Sequence, residues 1–210
     1  MSDKPHDQQS GLESTSQGSP RPAQKVERGS LRGQFLIAMP SLRDPIFAHT
    51  ITYVCEHSKE GALGIVINHP LELSLGDIFK QLDLDTQGPN ADLPVLSGGP
   101  VQMDRGFVLH PHGDKWESTI EVSKEISLTA SRDIIVSLAE NKGPNKAIVA
   151  LGYAGWGAGQ IEDEIAANSW LTVPADSAIL FDTPSEQRWA AASKYLGIDL
   201  NLIHGTAGHA

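Results

Sequence analysis

Apolar runs bounded by breakers dominate the first half of the chain. FLIAM at residues 35–39 stops at Pro40, as a buried strand would. TITYVC at 50–55 is β-branched and aromatic, SKEG at 58–61 has turn composition, and ALGIVIN at 62–68 is apolar again. These three segments predict an antiparallel hairpin with one face buried. SLGDIFKQL at 74–82 places apolar residues at 75, 78, 79 and 82, the spacing of a helix, with Ser74 as N-cap and Asp77 three residues on. An acidic, Gly- and Pro-containing loop covers 83–92, followed by a short apolar pair at Val95-Leu96 and a turn at Ser97–Pro100. RGFVLH at 105–110 predicts a strand and PHGDK at 111–115 a loop tip. Residues 119–122 and 126–129 predict another hairpin.

The second half alternates more. SRDIIVSLAENK at 131–142 predicts a helix capped by Ser131, with Asp133 in its first turn, Lys142 in its last and Gly143-Pro144 as a stop. A strand over 146–151 then runs into ALGYAGWGAGQIEDEIAAN at 150–168. The four glycines there, Gly152, Gly155, Gly157 and Gly159, predict a tight bend that lets Trp156 pack against the sheet, with a helix over 160–168. Residues 170–173 and 178–181 read as short strands separated by Pro174, and 185–196 as a helix capped by Ser185 and ended by Gly197. About ten strands and four helices in mixed order, with hairpins, predict an α+β fold. Its sheet should be largely antiparallel, mixed and barrel-like, flanked by about four helices.

Composition sets the limits. Residues 1–30 are rich in Ser, Gln, Pro and Gly, with only Met1, Leu12, Ala23 and Val26 apolar, so they are expected to be a disordered N-terminal tail. Residues 31–210 are expected to form a single domain, frayed at its HGTAGHA end. No stretch approaches the roughly 20 apolar residues that span a bilayer, and the start lacks an apolar leader core, so no membrane association and a cytoplasmic location are expected. The net charge is −10; the first 30 residues hold four bases and four acids, so the excess sits on the rest. That balance argues against direct nucleic-acid binding, which needs a basic face. A lone cysteine allows no internal disulfide and at most one thiolate in a metal site.

Each candidate for chemistry falls short of a complete motif. The glycine-rich stretch lacks the Lys-Ser/Thr ending of a phosphate loop and the G-x-G-x-x-G spacing. Glu162, Asp163 and Glu164 would repel a phosphate there, each by about 3 kcal/mol at ~5 Å and an effective dielectric of ~20. Cys55 would share a strand face with His57, which makes it a possible redox thiol, although a buried structural thiol fits the position better. His110 and His112 could supply two metal ligands, with His69 or Asp114 as a third. No HExxH or CxxC spacing supports this, so no metal and no cofactor are expected. Ser97-Gly98-Gly99 lacks the spacing of a nucleophile elbow. No catalytic residue is assigned. The loop residues Arg43, Asp44, Asn68, His69, Ser97, Gly98 and Gly99, together with Gly155, Trp156, Gly157 and Gln160, form a candidate binding surface. Asp44 could equally pair with an arginine as a structural ion pair.

Several blocks resemble the AlgH/YqgE family: GQFLIAMP at 33–40 with DPIF at 44–47, GALGIVIN at 61–68, SGGPV at 97–101, RGFVLH at 105–110 and GYAGWGAGQIE at 152–162. The resemblance covers roughly residues 31–200. It implies a small bacterial cytoplasmic α+β protein with a central barrel-like sheet, a regulatory role in gene expression and no established reaction. A non-enzymatic protein that binds a protein partner or a small-molecule ligand is therefore expected. The alternatives are a thiol- or metal-dependent enzyme and, against the charge, a direct DNA binder.

Overall fold

Strand β9 (Ile148–Gly157) joins the parts of the sheet in the computed structural model, which describes residues 29–85, 88–195 and 197. The other strands are β1 (Gln34–Ala38), β2 (Ile51–Ser58), β3 (Gly61–Val66), β4 (Pro70–Ser74), β5 (Pro94–Ser97), β6 (Val101–Pro111), β7 (Thr119–Glu121), β8 (Ile126–Thr129) and β10 (Trp170–Pro174). They run in the order β10-β1-β2-β3-β9-β6-β8-β7. The first half of β9 lies antiparallel to β6 and parallel to β5, and its second half pairs antiparallel with β3. Strand β4 is joined through β5. All other pairings are antiparallel, and the result is the expected largely antiparallel, mixed α+β sheet, curled as an open half-barrel with β10 and β7 at the ends of the strand order.

Alternation along the strands sorts the core into an inner and an outer face. Phe35, Ile37, Tyr53, Cys55, Ile65, Phe107 and Ala150 meet on the inner face. There they pack against Ile179 and Leu180 of α4 (Ser177–Phe181) and Trp189 and Ala192 of α5 (Ser185–Tyr195). The outer face has two patches. Val95, Val108 and Val149 pack on α1 (Leu75–Gln81) and α2 (Arg132–Ala139), while Leu36, Val54, Ala154 and Trp156 pack on α3 (Gln160–Ala166). α5 is pinned by polar bonds as well. The Trp189 indole donates to Ala38 O at 3.1 Å, and the buried Arg188 guanidinium donates to the carbonyls of Ile67 and Thr183.

Ser74 and Asp77 form the expected capping box at α1. Other local readings need correction. Residues 152–157 are not a bend: β9 continues through them, and the chain turns only at Gly159, which is left-handed at φ 76°. Residues 178–181 are helical, because Asp176 accepts from the N–H groups of Ala178 and Ile179 and starts α4 just after the strand-ending Pro174. α2 ends at Ala139, so Lys142 lies outside its last turn. Ser131 donates to Asp133 rather than capping a backbone N–H. Five α-helices and a 3₁₀ turn at Pro89–Asp92 are present among the described residues, against about four expected. Residues 1–28 of the expected tail and the HGTAGHA end lie outside the described residues.

Candidate functional site

Gly98 and Gly99 of the SGGP turn and Gly152 of β9 serve one crossing, where the β5–β6 connection passes over β9. Gly152 has φ 73°, and a Cβ there would fall 2.4 Å from the Gly99 carbonyl oxygen. A Cβ on Gly99, at φ 147°, would fall 2.2 Å from the Tyr153 carbonyl carbon. Two backbones thus meet without side chains between them, which only glycine permits. Above this crossing β6 bulges. Val101 pairs with Tyr153 and Gly106 with Leu151, so residues 102–105 face Gly152 alone. The insertion reverses the alternation of β9: Ile148 and Ala150 point inward before it, Tyr153 after it. At the bulge tip Gln102 is held at φ 50°, Met103 is 65% exposed, and the Arg105 guanidinium bonds Gln102 Oε1 at 3.3 Å over the Phe107 ring.

Beside the bulge lies a cleft of about 260 Å³ lined by Pro45, Ile46, Val66, His69, Ser97, Gly99, Pro100 and Met103. The 44–48 loop reaches it because Asp44 Oδ1 accepts from the N–H groups of Ile46 (2.8 Å) and Phe47 (3.1 Å). Asp44 therefore acts as a loop cap, and Arg43 is exposed next to it. Burial lowers the pKa of His69, which favours a neutral ring facing the cleft. Asn68 does not line it: its side chain accepts from Ile51 N–H and donates to His49 O, both at 2.9 Å. Gly98 is buried and donates to Leu151 O.

The other half of the expected surface is elsewhere. Gly155 and Trp156 line a second cavity of about 620 Å³, with Glu56–Ser58, Glu60–Leu63, Val101 and Tyr153. Gly157 and Gln160 serve the turn into α3, where Gly157 N–H donates to Gln160 Oε1 at 3.0 Å and Gln160 Nε2 donates to Glu164 Oε1 at 2.8 Å. Glu164 Oε2 accepts from two indoles, Trp156 Nε1 at 2.9 Å and Trp170 Nε1 at 2.8 Å. The acid that the sequence presents as a repulsive charge is a packing anchor. Of the candidate residues, His69, Ser97 and Gly99 line the first cavity and Gly155 and Trp156 the second, where Met103 and Ile46, and Tyr153, Glu56 and Glu60, respectively join them. Met103 stood out as an apolar residue in the polar run QMDR, and Ile46 and Tyr153 lie within the DPIF and GYAGWGAGQIE blocks; Glu56 and Glu60 carried no signal.

The Cys55–His57 pairing does not form. The β2–β3 register slips between Val54 and Glu56, so Cys55 stays inward and fully buried while His57 turns to α3. His57 Nδ1 accepts from Leu31 N–H at 2.9 Å, which places the proton on Nε2, 2.8 Å from Glu162 Oε1. Burial, and secondarily Glu56, pushes the Cys55 thiol pKa far up. His110 is likewise committed. Its Nδ1 donates to Pro111 O and its Nε2 accepts from Thr129 Oγ1, each at 2.9 Å. Among the described residues no three His, Cys, Asp or Glu side chains are grouped to hold a metal.

A half-barrel α+β sheet with a glycine-built crossing between two cavities defines the structural class. Residues 35–201 match the AlgH-like family model, and the chain belongs to that family. A UPF0301 protein of Saccharophagus degradans is 58% identical over 181 residues, 86% of this chain and 89% of that protein. One from Thioalkalivibrio sulfidiphilus is 55% identical over 84% of this chain and 95% of its own. The solution structure of AlgH from Pseudomonas aeruginosa superposes with a TM-score of 0.72 at 47% identity, covering 89% of this chain and all of that one. A Corynebacterium diphtheriae protein, at 19% identity and a TM-score of 0.63, shares the fold over 89% of this chain and 94% of its own.

Proposed function

We propose that this protein is a non-enzymatic, cytoplasmic binding protein that captures a protein partner at the cleft beside the β6 bulge and acts in the regulation of gene expression through that partner. One observation carries the reading: Ile46 (46% exposed) and Met103 (65% exposed), large apolar side chains held in solvent, line the same cleft. Holding an apolar side chain in water is unfavourable, and a non-glycine residue with positive φ beside it adds strain. Such features persist where a partner covers them. The volume favours a protein side chain, since drug-sized ligands occupy pockets of about 300–1,000 Å³. Methionine suits the role, because its flexible thioether adapts to the surface it meets.

The test is photo-crosslinking in cells with a photoreactive residue at position 103. One dominant covalent adduct is expected, and Ile46→Asp should lower its yield at least several-fold while the circular dichroism spectrum is unchanged. An adduct pattern indifferent to Ile46→Asp would sink the reading.

A further inference from the structure

We propose that the second cavity, at the end of the sheet where β2 turns into β3, is a docking site for an arginine- or lysine-bearing segment of a protein partner. This goes beyond the cleft at Met103 and does not depend on it. The cavity owes its chemistry to the bulge at Cys55. With regular pairing beyond Val54 and Gly64, Cys55 would oppose Leu63 and Glu56 would point to the outer face, away from it. The register slip instead sets Glu56 opposite Leu63, and Leu63 opposite Gly155. One extra residue thereby swings a carboxylate over the apolar end of the inner face and sends His57 outward to Glu162.

The lining then has an amphipathic logic. Leu63, Val101 and the Tyr153 ring supply apolar and aromatic surface, and Gly155 leaves it uncovered, since a Cβ there would already lie 3.3 Å from the Tyr153 ring. Glu56 and Glu60 supply the charge. No hydrogen bond or ion pair to another described residue engages either carboxylate, and Lys59, in the turn between them, does not line the cavity. The lining imidazole of His57 accepts from Leu31 N–H and reaches Glu162 Oε1. A guanidinium or ammonium group on an aliphatic stem is complementary to this combination: the stem covers Leu63 and Val101, the cation meets the two carboxylates, and the Tyr153 face adds a cation–π contact. The excess of acids over bases on the body favours the same partner at longer range.

The test is a ¹H–¹⁵N titration of the full chain with a nine-residue Val/Ala peptide carrying one central arginine, against the same peptide carrying citrulline. Expected are shifts confined to the amides of residues 61–63 and 153–156, with affinity about five-fold weaker for citrulline. A similar loss is expected for Glu56→Gln/Glu60→Gln, and complete loss for Gly155→Leu, whose side chain fills the cavity. Tyr153→Phe should keep binding, whereas Tyr153→Ala should weaken it. Met103→Asp should leave it unchanged, so that failure here and failure of the Met103 cleft are separable. Equal binding of the citrulline peptide, shifts scattered over the surface, or no shifts at all would overturn the proposal.

Discussion

At the residue scale, burial decides what the two most reactive-looking side chains can do. The Cys55 thiol is fully buried on the inner face, where it makes a long donation to Tyr53 O at 3.5 Å. Desolvation keeps it protonated, and the thiolate is the reactive form. Since it is the sole cysteine, a disulfide-exchange reagent should label the native protein only at the rate of unfolding, and labelling should become immediate in denaturant. Fast labelling of folded protein would restore the redox thiol as a reading. His110 gives a pH dependence with a definite sign. Burial lowers its pKa in the fold, with His112 adding to the effect against opposing contributions from Pro111 O and Asp114. The neutral ring is also the form that can accept from Thr129. The unfolded chain takes up this proton near pH 6.5, so the folded state loses stability as pH falls below about 6.5 towards the depressed value. Denaturant titrations between pH 7 and 5 should show this slope, and His110→Gln should reduce it, leaving the part due to the similarly lowered His69; an unchanged slope in the variant would assign the effect to other groups.

At the element scale, the glycine crossing and the Glu164 anchor hold the two cavities in place. Gly152→Ala would put a Cβ 2.4 Å from Gly99 O in a left-handed conformation, so a loss of about 3 kcal/mol in denaturant unfolding is expected. Gly159, equally left-handed but with open space around it, should tolerate alanine at about 1 kcal/mol. Glu164→Ala leaves two partly buried indole N–H groups without their acceptor, which should cost about 2 kcal/mol and shift tryptophan emission, whereas Glu164→Gln keeps an acceptor and should cost less. These elements also show where sequence reading succeeds and stops. Strands β1, β2 and β3 and helices α1 and α5 were legible because period and breakers agree there. The course of β9 through 152–157 was not, because local composition reads glycine as a turn. Here Gly152 answers a backbone arriving from residues 97–101, a contact with no local trace. The outward turn of His57 was hidden for a related reason: strict alternation puts it beside Cys55, and the register slip that separates them is set by pairing with β3. Residues 178–181 misled because a short apolar run fits strand or helix, and Asp176, as the cap, decided it.

At the scale of the whole molecule, charge bears on the choice between the proposed capture of a protein and direct binding to DNA. The body carries the entire −10, and neither cavity is lined by Lys or Arg. Of the described arginines, Arg188 is buried against Ile67 O and Thr183 O, Arg105 lies over Phe107, and Arg132 reaches Leu82 O. Of the lysines, Lys80, Lys115, Lys142 and Lys146 each pair with a carboxylate. Duplex binding draws its sequence-independent affinity from phosphates neutralised by clustered cations, with counterions released in proportion. Four of the described lysines are already paired with carboxylates, and a net negative charge disfavours a duplex at long range. Fluorescence anisotropy with a labelled duplex at roughly 150 mM salt should therefore show no binding, and lowering the salt about three-fold should not reveal a steep dependence. A complex whose affinity rises by orders of magnitude over that range would mean several phosphates are held and would make DNA the direct target. Its absence, with the Met103 adduct present, would place regulation in the contact with the captured protein.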